Sequence, residues 1–219
     1  MRLRAGESIL TLQEKLRVLA RYEALTEIYN RGTILETLQQ ELSRGARDGS
    51  SVAVIMLDLD KFKHINDRHG HLAGDAVLRE ATRRIRAELR PYDALGRYGG
   101  EEFLVVLPGC RESSACEVAE RVRRCLAADP IDSEAGYIPI TASLGAAGTD
   151  KWPLYQPDRL IAVADAALYR AKRAGRNCVL AATELQPLTA NGVNAGEWDR
   201  RGLLDAGGPG VSTPISSTR

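Results

Sequence analysis

Residues 51–60, Ser-Val-Ala-Val-Ile-Met-Leu-Asp-Leu-Asp, constrain the fold of this chain more than any other segment. Their apolar run is uninterrupted, short and rich in β-branched side chains, which is typical of a central β-strand buried on both faces. The run ends in Asp58 and Asp60, so two carboxylates lie where a buried strand reaches solvent or a binding site. The sequence therefore predicts a sheet whose central strand ends in acids.

Hydrophobic periodicity around this strand predicts alternating helices and strands. A hairpin is expected where Gly99 and Gly100 separate two apolar runs, and residues 61–75 are polar and contain glycine. The rest of the pattern indicates helices over 31–42, 75–89, 113–127 and 157–173, and strands over 94–98, 102–107, 138–145 and 178–181. This βαββαβ order predicts an α/β (α+β) ferredoxin-like fold, with helices on one face of a mainly antiparallel sheet.

Three regions are expected along the chain. Residues 1–22 place apolar side chains at three- and four-residue steps, which predicts an amphipathic stalk helix. This helix either pairs with its twin in a dimer or packs on the surface of its own domain. Residues 23–182 contain the whole α/β pattern. Residues 183–219 have few apolar side chains and no period, so a disordered tail is expected.

Composition excludes several classes of protein. The 219 residues carry a net charge of +1, whereas a protein that binds duplex nucleic acid usually has a strongly basic surface. No apolar stretch approaches the roughly 20 residues of a membrane helix, and the N-terminus has no secretory pattern. The four cysteines form no Cys-x-x-Cys pair, which favours reduced thiols and a cytoplasmic location.

Two glutamates follow the glycine pair of the hairpin, in Tyr98-Gly-Gly-Glu-Glu-Phe103. Glycine lets the backbone approach a bulky ligand because it has no Cβ. In a βαββ unit this hairpin neighbours the end of the first strand, so its glutamates are expected to converge with Asp58 and Asp60. Carboxylates and a backbone carbonyl suit Mg²⁺, which also binds phosphate oxygens. The alternative is an ordinary hairpin with solvated glutamates.

Five motifs stand in a fixed order within residues 23–182. They are Leu25-Thr26-x-x-x-Asn30-Arg31; Asp58-Leu59-Asp60-x-Phe62-Lys63-x-Ile65-Asn66-Asp67-x-x-Gly70-His71-x-x-Gly74-Asp75; Arg90-x-x-Asp93; Gly99-Gly100-Glu101-Glu102-Phe103; and Ala164-Asp165-x-Ala167-Leu168-Tyr169-x-Ala171-Lys172-x-x-Gly175-Arg176-Asn177. With them the chain resembles the GGDEF family of diguanylate cyclases, in its GGEEF variant. One such motif arises easily by chance, whereas five in register are highly specific.

The resemblance implies a palm-like, nucleotidyl-cyclase-like sheet and an enzyme that condenses two GTP into cyclic di-GMP and two pyrophosphates. It implies two Mg²⁺ (or Mn²⁺) ions per active site. It also implies a homodimer, because each site holds one GTP and two sites must face each other. The expected partners are therefore GTP, cyclic di-GMP and a second copy of the chain, with no nucleic acid and no membrane segment.

The resemblance also assigns roles to the acids and one lysine. Asp58, the Leu59 carbonyl, Glu101 and Glu102 are implied metal ligands. Glu101 is in addition the implied acceptor of the proton from the attacking 3′-hydroxyl, and Lys63 is implied to stabilise the phosphate in transfer.

Nucleotide recognition is implied at five further residues. Asn66 and Asp75 would read the guanine base, and His71 would contact the nucleotide or order its loop. Lys172 and Arg176, on one helix face or at its end, would clamp the β- and γ-phosphates. A metal site at His69 and His71 is the disfavoured alternative, because the neighbouring acids suit Mg²⁺.

An inhibitory site for the product is implied at Arg90 and Asp93. Arg121 would act there as a secondary arginine from a neighbouring domain. An Arg-x-x-Asp pattern alone equally fits a surface ion pair.

The chain departs from the family pattern near its stalk, at Glu23, Glu27 and Gly32. Glu23 keeps the usual negative charge and is expected to pair with Arg31, whereas Glu27 replaces a turn glycine. The N-terminal residues resemble linkers that follow receiver domains, which implies the output part of a response regulator.

Three rival functions are disfavoured, in turn by the intact acids and cations of the site, by the retained Asp75 and by the near-zero net charge. They are a catalytically idle cyclic di-GMP receptor, a cyclase that makes a mixed GMP–AMP product, and a polymerase-like palm.

Overall fold

The computed structural model describes residues 20–184, so most of the predicted stalk and the predicted tail from residue 185 lie outside the described residues. The elements are helices α1 (Arg31–Asp48), α2 (Phe62–His69), α3 (His71–Ala87), α4 (Glu112–Ala128) and α5 (Pro157–Arg173), and strands β1 (Val52–Leu59), β2 (Ala94–Arg97), β3 (Glu102–Pro108), β4 (Ile131–Ser133), β5 (Gly136–Ile138), β6 (Ala142–Gly148) and β7 (Val179–Ala181). A short 3₁₀ helix, Ala182–Glu184, follows β7. Within this range no helix is long and apolar enough to cross a membrane.

The strands form a five-stranded sheet in the order β2-β3-β1-β6-β7, beside a separate β4-β5 hairpin. Strand β1 is central and runs antiparallel to both β3 and β6, whereas β6 and β7 are parallel. All eight residues of β1 are buried. The prediction of a central strand covered on both faces, within a mainly antiparallel α+β sheet, is therefore confirmed.

The expectation that helices cover only one face of the sheet is wrong. Alternate residues of β1 pack into two separate cores. Ala53, Ile55 and Leu57 meet apolar side chains of α3 and α4, whereas Val54 and Met56 meet those of α1 and α5. Because the side chains of a strand alternate in direction, a fully apolar strand needs helices on both faces.

Several element boundaries also differ from the sequence prediction. Helix α1 starts at the Asn30 cap, whose Oδ1 accepts the Thr33 N–H at 3.0 Å, and passes through Gly45 to end at Gly49, where φ is 68°. Gly45 does not break the helix; a Cβ there would come within 2.6 Å of the Ser50 carbonyl oxygen. Helix α2 forms in the polar segment 61–75, where no element was predicted, and β6 starts at Ala142 rather than near Ile138.

Candidate functional site

The ends of β1 and β3 bring the predicted acids together. In the antiparallel register Asp58 lies directly opposite Glu102. One residue further, the Leu59 N–H donates to the Glu101 carbonyl at 3.2 Å. Directly paired residues place their side chains on the same face of a sheet, so the carboxylates of Asp58 and Glu102 are neighbours.

The hairpin turn between β2 and β3 is tight around Gly99. The N–H groups of Tyr98 and Gly99 both donate to the Glu102 carbonyl, at 2.8 and 3.1 Å. A Cβ at Gly99 would displace the Glu102 carboxylate from its position. The glycine therefore leaves room for the close approach of this acid to the turn.

A cation from α5 reaches the buried acid of β1. The Lys172 Nζ lies 2.6 Å from Asp58 Oδ2. Burial raises the pKa of Asp58, with Glu102 and Asp60 adding to the effect, and the Lys172 ammonium only partly opposes it. Asp58 is 5% exposed, so the protein keeps a carboxylate where its charge is costly.

The pKa of Glu101 is raised by the same kinds of effect as that of Asp58. Burial raises its pKa, the negative charges of Asp58 and Glu102 raise it further, and Lys172 opposes the shift. Lys172 thus opposes the upward pKa shift at both Asp58 and Glu101. The mutual repulsion of neighbouring carboxylates favours the binding of a further cation beside them.

The residues fit a magnesium-type ion. Within residues 20–184 no three His, Cys, Asp or Glu side chains are arranged to enclose a metal on their own. Mg²⁺ does not require such a cage, because one or two carboxylates, together with waters and substrate phosphates, usually suffice. The Lys172 ammonium on Asp58 Oδ2 already occupies a cation position at this carboxylate.

Asp60 lies close enough to Asp58 to raise its pKa, but its carboxylate oxygens are engaged by other groups of the protein. Its Oδ2 accepts from Thr141 Oγ1 and its Oδ1 from Ser143 Oγ, both at 2.7 Å. Its Oδ2 also accepts the Asn177 N–H at 3.0 Å. Both oxygens are therefore used in contacts within the protein.

The predicted base-reading residues lie at the junction of α2 and α3. A Cβ at Gly74 would collide with Asn66 Oδ1, so the amide packs directly against the residue that precedes Asp75. Asn66 of α2 thus contacts α3 one residue before Asp75. Lys63 and His71 are exposed near the starts of α2 and α3.

The predicted phosphate clamp spans the end of α5. Lys172 is in the last turn, whereas Arg176 lies beyond the helix in a left-handed conformation with φ 69°. The two residues therefore share the end of the helix rather than one face. Arg176 is exposed.

The comparisons agree with this geometry. A family model described as diguanylate cyclase, GGDEF domain, matches residues 20–178. The chain belongs to the GGDEF family.

Two curated GGDEF relatives are enzymes by name. The chain is 41% identical over 155 residues to diguanylate cyclase DgcP of Pseudomonas aeruginosa, covering 71% of this chain and 23% of DgcP. It is 36% identical over 179 residues to diguanylate cyclase DosC of Escherichia coli, covering 80% of this chain and 38% of DosC. The chain thus spans about a quarter to two fifths of the length of these relatives.

A solved GGDEF structure has the same fold. The coiled coil and GGDEF domain of DgcB from Caulobacter crescentus, solved in complex with c-di-GMP, superposes with a TM-score of 0.76 at 29% identity. The match covers 82% of this chain and 95% of that one.

The residues expected to bind product form a turn in this GGDEF domain. The Arg90 N–H donates to Asp93 Oδ2 at 2.9 Å, and the Asp93 N–H donates to the Arg90 carbonyl at 3.0 Å. Both residues line a cavity of about 270 Å³ that Tyr22 and Tyr29 also line. Arg121, on α4, instead donates to the Glu88 carbonyl at 2.9 Å.

The expected pairing of Glu23 with Arg31 is wrong. Glu23 Oε1 lies 2.9 Å from the Arg97 guanidinium, whereas the Arg31 guanidinium lies over the Tyr98 ring at 4.8 Å. No role was predicted for Arg97. Its position two residues before Gly99 was the available signal, because a residue there can reach the turn carbonyls.

Thr141, Ser143 and Arg123 contribute to the site without any motif that points to them. Thr141, just before β6, and Ser143, within it, donate to the Asp60 carboxylate, and Arg123 Nη1 on α4 donates to Asn177 Oδ1 at 2.8 Å. Donors so far away in sequence leave no local pattern. The pairing of β6 with β1 brings the two hydroxyls to Asp60, and the packing of α4 brings Arg123 to Asn177.

Proposed function

We propose that this chain is a diguanylate cyclase that condenses two GTP into cyclic di-GMP. Each 3′-oxygen forms a bond to the α-phosphorus of the other nucleotide, the bond from that phosphorus to the β-phosphate bridging oxygen breaks, and two pyrophosphates leave. The observation that carries the proposal is the meeting of Asp58, Glu101 and Glu102 at the ends of β1 and β3, with Lys172 on Asp58. Membership of the GGDEF family supports it.

In this proposal Asp58, the Leu59 carbonyl, Glu101 and Glu102 hold two Mg²⁺ (or Mn²⁺) ions. When bound, such ions polarise phosphate oxygens and lower the pKa of a coordinated hydroxyl. Glu101 takes the proton of the 3′-hydroxyl, which metal coordination makes more acidic. The crowding of negative charge at these acids supports cation binding.

The nucleotide is held at two ends. Asp75 accepts hydrogen bonds from guanine N1–H and its exocyclic amine, Asn66 donates to O6, and His71 contacts the nucleotide. Lys172 and Arg176 hold the β- and γ-phosphates, and Lys63 stabilises the phosphate in transfer. Adenine lacks the donor pair that Asp75 needs, so GTP is the preferred substrate.

Ring closure requires two facing sites, so we place the reaction in a homodimer. Residues 1–22 would supply the stalk that sets the distance between the two domains. The solved DgcB structure includes a coiled coil with its GGDEF domain, which supports this arrangement. All four cysteines are free, which suits the cytoplasm, where GTP is available.

Product would inhibit the enzyme at Arg90 and Asp93, with Arg121 supplied by a neighbouring domain. A guanidinium can stack on guanine and a carboxylate can accept from its edge. The cavity that these residues line supports the assignment. The DgcB structure, solved in complex with c-di-GMP, supports product binding by a GGDEF domain.

The test is to separate the products formed from GTP, from ATP and from a mixture of the two, with Mg²⁺ present. We expect cyclic di-GMP from GTP, no product from ATP and no mixed product. Glu101→Ala should abolish turnover, while Glu117→Ala, at an exposed position on α4, should leave it unchanged. A mixed GMP–AMP product, or no cyclic di-GMP from a dimeric sample, would contradict the proposal.

A further inference from the structure

The segment 175–177, which follows α5, has a left-handed backbone at three consecutive residues. The φ angle is 119° at Gly175, 69° at Arg176 and 45° at Asn177. L side chains rarely adopt this region, so a left-handed arginine followed by a left-handed asparagine persists only where surrounding contacts hold it. Those contacts determine the position from which the Arg176 side chain extends.

Asp60 supplies one of these contacts from the end of β1. Its Oδ2 accepts the backbone N–H of Asn177 at 3.0 Å. The carboxylate is itself fixed, because Thr141 Oγ1 donates to Oδ2 and Ser143 Oγ donates to Oδ1, both at 2.7 Å. Asp60 is only 7% exposed, and a carboxylate is rarely buried to this extent without a structural or functional need for its hydrogen bonds.

Arg123 holds the same segment from α4. Its Nη1 donates to Asn177 Oδ1 at 2.8 Å, and its Nε and Nη2 donate to the Glu120 carboxylate at 2.7 and 2.8 Å. The Arg176 N–H donates to the Ala171 carbonyl at 3.1 Å, which joins the segment to α5. Asn177 is therefore held at its backbone by β1 and at its side chain by α4.

We propose that Asp60 is a positioning residue for the phosphate clamp. By holding the Asn177 N–H it fixes the left-handed backbone of the preceding Arg176, and so aligns that guanidinium with Lys172 on the triphosphate. The inference rests on the proposed function, which assigns Lys172 and Arg176 to the β- and γ-phosphates.

The two acids at the end of β1 then have separate tasks. Asp58 pairs with Lys172 and is assigned to the metal site, whereas the Asp60 oxygens accept from Thr141, Ser143 and the Asn177 N–H. Asp58 thus contacts one residue of the proposed clamp directly, and Asp60 holds the backbone next to the other. A single strand end thus aligns the metal site with the phosphate clamp.

The test compares the affinity for a triphosphate with that for a monophosphate. The probes are 3′-deoxy-GTP and 3′-deoxyguanosine 5′-monophosphate, neither of which has the attacking hydroxyl, and the readout is the ratio of their Kd values by calorimetry with Mg²⁺. A general loss of structure would weaken the binding of both ligands alike. A misplaced clamp would weaken the binding of the triphosphate only.

Asp60→Ala should reduce the preference for the triphosphate by about tenfold, the factor expected for losing one charged hydrogen bond. Arg176→Ala should give a similar loss. Asp60→Asn should keep the wild-type ratio, because its amide oxygen can accept from Asn177 while its N–H₂ group donates to the Ser143 hydroxyl.

A folded Asp60→Ala variant that keeps the wild-type ratio, while Arg176→Ala loses it, would overturn the inference and leave the proposed function standing. If Asp60→Ala does not fold, the double variant Thr141→Val with Ser143→Ala releases the carboxylate from β6, and an unchanged ratio there would overturn the inference instead. A wild-type protein with equal affinity for both probes would contradict the phosphate assignment in the proposed function itself.

Discussion

Arg97 joins Glu23 to the glycine turn of the site. Its Nη1 lies 2.9 Å from Glu23 Oε1, and its Nη2 donates to the Gly100 carbonyl at 2.7 Å. Glu23 in turn accepts hydrogen bonds from the N–H and hydroxyl of Thr26. The segment that follows the predicted stalk is therefore linked through one guanidinium to the hairpin that carries Glu101.

Replacing this guanidinium should loosen the hairpin. Arg97→Met keeps a similar apolar stem but removes the ion pair and the bond to Gly100, in a pair whose side chains are only 17% and 25% exposed. We expect a loss of about 1–2 kcal/mol in the free energy of unfolding. Hydrogen exchange at Tyr98 and Gly99, whose N–H groups close the turn, should become faster.

The matched control is Arg44→Met, which removes an exposed ion pair with Glu41 on α1. It should change stability by less than about 0.5 kcal/mol and leave exchange in the hairpin unaltered. Equal exchange rates in Arg97→Met and the wild type would contradict a link between Glu23 and the turn.

The pH dependence of the free energy of unfolding should show that the ionised Glu101 carboxylate destabilises the folded protein. Its folded pKa lies above the ordinary value of 4.5 because of burial and the charge of Asp58. Ionisation of Glu101 therefore lowers the free energy of unfolding as the pH rises above about 4.5. It has no effect well below that pH, where the carboxyl is protonated in both the folded and the unfolded chain. In chelator, Glu101→Gln should be more stable than the wild type at pH 7, by a few tenths to about 1 kcal/mol after solvent screening.

Chemical denaturation at pH 7 and at pH 4 measures this difference, which should vanish at the lower pH. The exposed Glu36→Gln serves as a control and should show no such dependence. A wild type that is more stable than Glu101→Gln at pH 7 without metal would exclude the proposed charge crowding.

Replacing Glu27 with glycine should increase the stability of the protein. The φ angle of Glu27 is 57°, a conformation that costs a residue with a Cβ about 1 kcal/mol and that glycine adopts without this strain. Part of the stability gained is lost again, because glycine also increases the conformational entropy of the unfolded chain. Glu27→Gly should therefore gain a few tenths to about 1 kcal/mol, whereas the same change at Glu36, inside α1, should lose about 1 kcal/mol. Thermal melting distinguishes the two, and equal losses would disprove strain at Glu27.

Product inhibition should depend on Arg90. Arg90→Ala removes the guanidinium from the proposed site, so the inhibition constant for cyclic di-GMP should rise by about tenfold or more. Initial rates at increasing product concentration provide the measurement. Arg47→Ala, at the exposed end of α1, is the control, and unchanged inhibition in Arg90→Ala would remove Arg90 from the site.

Local signals in the sequence were sufficient for the central strand and the hairpin. The apolar run of β1 and the pair Gly99-Gly100 each determine structure within a few residues, so β1, β2 and β3 are predicted nearly in full. Gly45 shows where such signals fail. It was interpreted as the start of a loop, but it is required because the backbone of Ser50 packs against the helix.

Contacts between distant elements were not predictable in this way. Thr141 and Ser143 reach Asp60 across 81 and 83 residues, through the register of β1 with β6. Glu23 pairs with Arg97 rather than Arg31 because the Tyr29 backbone hydrogen-bonds to Leu95 and Arg97 of β2 and brings the two segments together. Motif spacing indicated which residues matter, whereas topology determined their partners.

The most direct measurement of the central claim follows GTP consumption by phosphorus NMR in one sample with Mg²⁺. The account predicts two pyrophosphates for each cyclic di-GMP formed, and neither product from Glu101→Ala. Release of inorganic phosphate with GDP, or pyrophosphate without cyclic di-GMP from a dimeric wild-type sample, would contradict it.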